Sequence, residues 1–228
     1  MELIFRILEI VGNCLDGLLL ILILRGPFRK YPILLAYAVI QLATSLIEAW
    51  IEWAYGNTSR LYSNWYYADE VAVSLVLFLT IIILTYRALE GAHMLIPAGK
   101  LLGGLVVMAV LLPFLIYHQN YFRPRWFAGA SQILNFGGAL MNMVLWTALL
   151  VNRRTDRQLL TVSAGLGVLV TATAISYGVR SIFSGVGTPA YFTLMFQLTH
   201  VAAFAILCWA FRPAAATASD SSGAVTAI

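Results

Sequence analysis

Apolar runs long enough to cross a bilayer follow one another from Leu3 to Phe211, separated only by short connectors. Wound as a helix, about 20 apolar residues cover the roughly 30 Å of a bilayer's hydrocarbon core. No water is available there, so each run must satisfy its own backbone groups, and the α-helix does this within one segment. The pattern predicts an all-α membrane protein, a bundle of seven transmembrane helices over residues 3–24, 32–54, 67–90, 98–118, 125–151, 157–184 and 188–211. Residues 1–211 make one transmembrane domain. The stretch 212–228, RPAAATASDSSGAVTAI, is small and polar with no periodic apolar face, which predicts a disordered cytoplasmic tail. Composition leaves no run over for a soluble domain: 61% of residues are hydrophobic and 11% charged, where soluble domains carry about a quarter.

Proline falls where this division needs it. Pro27, Pro32, Pro97, Pro124, Pro189 and Pro213 lie at or near span ends, where the missing N–H is tolerated or stops the helix. Pro113 alone lies within a span and predicts a kink near the outer end of helix 4. The opening MELIFRILEI lacks a small-residue cleavage site, so helix 1 is expected to be retained.

Basic residues in short loops set orientation. On one side stand Arg25, Arg29, Lys30, Arg87, Lys100, Arg153, Arg154, Arg157 and Arg212; on the other are only Arg6, Arg60, Arg123, Arg125 and Arg180. This places the N-terminus outside and the C-terminus in the cytoplasm, in a cell (inner) membrane. The same topology puts Glu2, Glu9, Glu48, Glu52, Asp69 and Glu70 in or beyond the outer leaflet, with Asp16 near mid-depth. Solubility does not explain carboxylates at hydrocarbon depth.

These polar residues keep to helical spacing. Glu2, Arg6, Glu9, Asn13 and Asp16 form one stripe on helix 1, and Gln41, Ser45, Glu48 and Glu52 another on helix 2. Helix 5 carries Ser131, Asn135, Gly138 and Asn142; helix 6 carries Thr173, Tyr177, Arg180 and Ser184; helix 7 carries Thr193, Gln197 and His200. A charge turned toward lipid costs at least about 2.5 kcal/mol, so such stripes are expected to face each other across a polar interior. The expected pocket is lined by Asn13, Asp16, Glu48, Asn142, Gln197 and His200, with Glu52, Asp69, Glu70 and Arg180 nearer its mouth. Packing glue is the alternative for the Asn, Gln, Ser and Thr members, at about 0.6 kcal/mol each. An ion pair with Glu48 or Glu52 is the alternative for Arg180.

Between helices 2 and 3 the chain concentrates Trp50, Trp53, Tyr55, Tyr62, Trp65, Tyr66 and Tyr67 among the acids. Aromatics gather at any membrane interface. Beside carboxylates they also hold cations by cation–π attraction, and Trp50 and Trp53 are the expected apolar walls of such a mouth. Segment 65–91, WYYADEVAVSLVLFLTIIILTYRALEG, resembles bacterial seven-helix integral membrane proteins that carry no assigned activity; the resemblance implies the fold alone.

Enzyme signatures are missing: there is no HExxH, no CxxC and no Gly-rich phosphate loop. His93, His118 and His200 belong to three different levels of the bundle, so neither a metal nor a cofactor is expected. Lysine is absent from helix 7, which separates the chain from retinal proteins. The basic residues are spread over short loops and make no nucleic-acid surface. Three non-enzymatic classes fit. A sensor or receptor-like protein takes a small cationic or aromatic ligand in an outward-facing acidic and aromatic pocket and acts through another membrane or cytoplasmic protein. An accessory or assembly subunit of a larger membrane complex presents the same stripes to a partner. A small-solute or cation transporter uses Asp16, Glu48 or His200 as coupling groups, yet the inner ends of helices 1, 2 and 7 (18–24, 33–36 and 202–207) are apolar.

Overall fold

The computed structural model describes residues 2–26, 31–56, 58–89, 95–118, 121, 123–151, 157–182 and 190–212. The tail 213–228 and the loop segments 27–30 and 152–156, with Arg29, Lys30, Arg153 and Arg154, lie outside the described residues. Seven α-helices form among those described: α1 (Glu2–Arg25), α2 (Pro32–Tyr55), α3 (Arg60–Ala88), α4 (Leu95–Ile116), α5 (Pro124–Val151), α6 (Arg157–Ile182) and α7 (Ala190–Ala210). Each contains a window long and apolar enough to cross a membrane, which makes this a multi-pass membrane protein.

Local chemistry sets the ends of the second and third helices. Pro32 opens α2 at a position where its missing N–H costs nothing. Gly56 closes it with φ 78, a left-handed conformation that glycine adopts without strain, and its N–H bonds back to Glu52 O at 2.9 Å. Three residues on, Ser59 caps α3, its Oγ accepting from Tyr62 N at 3.1 Å. This helix therefore starts at Arg60 and not at 67, because RLYSNWY contains no breaker and follows a good cap, although its hydropathy is low. The connector shrinks to a few residues, and Tyr62, Trp65, Tyr66 and Tyr67 become helical. At 29 residues α3 is about 43 Å long, more than the hydrocarbon thickness. Pro113 lies inside α4, as the sequence has it.

Going round the bundle, neighbours run α1, α2, α3, α5, α6, α7 and back to α1, while α3 also touches α6 across the middle. α4 stands outside this ring and packs mainly on α5. Glycines allow two of the closest approaches. A Cβ on Gly138 of α5 would come within 2.8 Å of Val170 Cγ2 and 3.5 Å of Ile81 Cδ1, and one on Gly165 of α6 within 2.8 Å of Leu207 Cγ. Asn135 ties α5 to α3 by donating to Ser74 Oγ at 2.8 Å.

The core is concentrated toward one end of the ring. Leu19, Ile23, Leu34, Tyr37, Ile81, Leu84, Leu145, Leu166, Phe204 and Leu207 are fully buried, and all belong to the halves of their helices remote from the start of α1. Tyr37 stacks on Phe204 at 6.5 Å, and Tyr31 meets Phe211 edge-on at 5.6 Å, so α2 and α7 close over this end. Toward the other end the packing loosens. No residue is buried in 3–11 of α1, 39–50 of α2, 60–73 of α3 or 192–202 of α7. The ring is thus sealed at one end and slack at the other, between four particular helices.

Candidate functional site

The slack end gathers carboxylates from three helices. Glu48 and Glu52 stand one turn apart on α2; Asp69 comes from α3 and Glu9 from α1. Glu9, Glu52 and Asp69 all act electrostatically on Glu48, and among the described residues its hydrogen-bond donor is the Tyr62 hydroxyl, 2.9 Å from Oε1. Among the described residues, no base is among the groups acting on Glu48. Asp69 faces the Thr44 hydroxyl, whose proton goes to Gln41 O at 3.0 Å, and Asp69 Oδ1 is enclosed without a hydrogen-bond partner. Gln41 Oε1 is enclosed and unpartnered in the same way. Acceptors therefore outnumber donors here, an arrangement that suits a ligand bringing positive charge and N–H groups.

Neighbours in sequence part company at this point. Successive helical residues point about 100° apart. Asp69 turns toward α2, while Glu70 turns toward α6, accepting from Tyr66 Oη at 3.4 Å and acting on the Tyr177 hydroxyl. That hydroxyl also lies near Ser131 yet reaches hydrogen-bond geometry with neither. The rings of Tyr62 and Tyr66 stack at 6.4 Å, so the donor to Glu48 and the donor to Glu70 touch along one face of α3.

Deeper down, Asp16 sits where the slack end meets the sealed one. It is 1% exposed, close enough to Tyr37 and Cys208 to act on both, and its Oδ1 has no hydrogen bond. Cys208 Sγ donates to Leu15 O at 3.5 Å on the same α1–α7 seam. One turn toward the slack end, His200 packs its ring on Phe204 at 4.6 Å and against Gly12, where a Cβ would stand 3.8 Å from His Cδ2. Gln197 follows on α7 with Oε1 enclosed and unpartnered, and Asn13 is half-buried on α1.

Other expected members lie elsewhere. Asn142 is buried against Gly167, where a Cβ would collide with its amide, in a groove of about 600 Å³ lined by α5 and α6 alone. None of the carboxylates lines that groove, and Met143 and Leu150 beside it are exposed. Trp50 is 57% exposed and meets Tyr55 edge-on at 6.1 Å; Trp53 is 84% exposed. Both indoles point away from the bundle, the posture of an interfacial belt and not of a pocket wall. Glu52 is exposed, and the side chain of Arg180 lies outside the described residues. Tyr62, Tyr66 and Tyr177, which the sequence places in the aromatic connector and the helix 6 stripe and not in the pocket lining, stand beside the carboxylates. The spacing Tyr62, Tyr66, Glu70 would have revealed two of them once α3 is known to begin at Arg60.

Among the described residues no three His, Cys, Asp or Glu side chains converge as a metal site. The carboxylates of α1, α2 and α3 are near enough for Glu9, Glu52 and Asp69 to act on Glu48. Comparison with known protein families, with curated proteins and with solved structures finds no match.

Proposed function

We propose that this chain is a non-enzymatic sensor or receptor-like membrane protein, N-terminus outside, that binds a small organic cation at its slack end and acts through a protein partner. One observation carries the reading: among the described residues, carboxylates from α1, α2 and α3 act on Glu48, and a phenol hydroxyl is the donor that answers it. Such a group of acceptors costs free energy when empty and releases it to a cation. A polyatomic ammonium or guanidinium can span carboxylates on three helices, and Tyr62 and Tyr66 offer ring faces beside them.

The sealed end favours a receptor over a transporter. A transporter needs a polar route on both sides of its site, and beyond Asp16 the ring is filled by Leu19, Ile23, Leu34, Tyr37, Phe204 and Leu207. Partner binding at the tight end would read any change in how α1, α2, α3 and α7 close at the loose one.

The experiment uses the full chain in nanodiscs with spermidine, guanidinium and tetramethylammonium as probes. A probe that binds raises the unfolding midpoint in proportion to the logarithm of its concentration. The rise is expected to vanish in Glu48→Gln and in Asp69→Asn and to survive in Trp53→Ala. No rise with any probe, or equal rises in all variants, refutes the reading. Uptake of a bound probe into proteoliposomes would replace receptor by transporter, and a co-purifying chain whose release follows Glu48→Gln would replace it by complex subunit.

A further inference from the structure

On the side of α3 that carries Glu70, helices α3, α6 and α7 enclose a cavity of about 290 Å³. Its polar lining is occupied with itself. Thr173 donates to Leu169 O at 2.8 Å, Ser176 to Ala172 O at 2.9 Å and Thr199 to Met195 O at 2.8 Å, so each of these hydroxyls spends its proton on its own helix. Tyr66 donates to Glu70 Oε1 at 3.4 Å, and the Tyr177 hydroxyl stands beside Glu70 and Ser131. What the cavity offers a guest is carbon, from Ala172, Ile175 and Val179 of α6 and from Phe192, Met195 and Phe196 of α7.

The cavity opens sideways. Ile175 and Met195 line it and are 59% and 61% exposed, and both lie in membrane-spanning windows, where an exposed apolar side chain faces acyl chains. Along α6 the lining runs from Ala172 to Val179, about 10 Å, against roughly 15 Å of hydrocarbon in one leaflet. Volume over length leaves a cross-section of about 30 Å², a slot for one alkyl chain parallel to the helices.

We propose that this cavity is a lateral site for one acyl chain of a bilayer phospholipid. The chain enters between Ile175 and Met195 and lies against Phe192 and Phe196. The head group stays at the interface, because the committed hydroxyls and the Tyr66–Glu70 pair give it no reason to follow. An empty apolar slot forfeits the dispersion contacts its walls would make, and a chain from the surrounding bilayer restores them. Among the described residues α3 and α7 do not meet, so a chain held between them makes lipid part of the packing at the slack end. Its ligand is uncharged within the cavity and arrives through the bilayer, so the site stands or falls apart from the cation reading.

The test uses the full chain in palmitoyl-oleoyl phosphatidylcholine nanodiscs doped with a phosphatidylcholine whose sn-2 chain carries a diazirine, irradiated and mapped by peptide mass spectrometry. Residues 107–115 of α4 are the reference, since Val107, Met108, Leu111 and Leu115 are exposed but do not line this cavity. Adducts within 172–179 of α6 and 192–199 of α7 are expected to exceed that reference severalfold. Thr199→Phe fills the cavity from α7 and should bring the adducts down to the α4 level. Ile175→Trp, at an exposed position on the mouth, should do the same, and it decides the matter if Thr199→Phe does not fold. Labelling no higher than on α4, or an excess that survives Ile175→Trp, would overturn the proposal. So would enrichment by a diazirine-bearing octadecanol and not by the phosphatidylcholine, which would assign the cavity to a free single-chain lipid.

Discussion

Gly165→Ala puts a single methyl group into the seam between α6 and α7. The new carbon would lie 2.8 Å from Leu207 Cγ, 2.9 Å from Leu207 Cδ2 and 3.2 Å from Ala203 O. Cγ is the branch point of a fully buried leucine and does not swing aside as a chain end would, and the carbonyl belongs to the backbone of α7. Relief requires the helices to separate, and overpacking of this kind costs about 1–3 kcal/mol. Alanine's better helix propensity returns up to about 1 kcal/mol. The net expectation is about 1–2 kcal/mol of destabilisation, raising the unfolded fraction roughly 5- to 30-fold. Gly178→Ala on the same helix is the internal control: a Cβ there meets nothing within 4 Å, so propensity acts alone and stabilises by about 0.5–1 kcal/mol. Reversible unfolding by SDS in bicelles, followed by far-UV circular dichroism, measures both. In a double-mutant cycle, adding Leu207→Ala to Gly165→Ala should cost less than it costs the parent chain, because the clashing group is gone. Equal stability of Gly165→Ala and Gly178→Ala, or strict additivity in the cycle, would show that α6 and α7 do not approach as described.

Further outcomes follow from other contacts. Asn135→Ala removes the donor to Ser74 Oγ inside the α3–α5 contact and should cost about 0.6–1.7 kcal/mol in the same unfolding assay, after which Ser74→Ala should add almost nothing. Glu9→Gln removes one of the carboxylates acting on Glu48 and should raise the melting temperature at low salt; the gain should disappear in 1 M salt, where the screening length falls to about 3 Å. With Cys14 and Cys208 replaced by alanine, Thr58→Cys is expected to react with a membrane-impermeant maleimide in intact cells, and Arg25→Cys only after lysis. The reverse pattern would invert the proposed orientation.

Hydropathy alone made the seven helices legible, because each run must bury its backbone in hydrocarbon whatever its neighbours do. The start of α3 was hidden by the same signal: residues from Arg60 to Tyr66 are too polar to read as a span, and the Ser59 cap that launches them leaves no trace in an average. Spacing placed Glu48 and Asp16 on one stripe each, but a stripe fixes only a direction on its own helix. How far each helix turns about its axis depends on packing against all its neighbours. Asn142 thus ends in an α5–α6 groove although it keeps the period of its own stripe, whereas Trp50, two residues from Glu48 and so on nearly the opposite face of α2, points outward. The order of helices around the ring was equally out of reach, since α3 and α5 become neighbours only because α4 stands aside.

That displaced fourth helix divides the polypeptide in a way its linear order conceals. The triplets α1 to α3 and α5 to α7 meet along two seams, α3 on α5 and α1 on α7, with α3 and α6 touching between them. None of these joints depends on a covalent tether. A chain severed between α3 and α4 retains every contacting pair of the six-membered circle, so two separately synthesised fragments are expected to reassemble in a bilayer, and failure to co-purify when co-expressed would refute that.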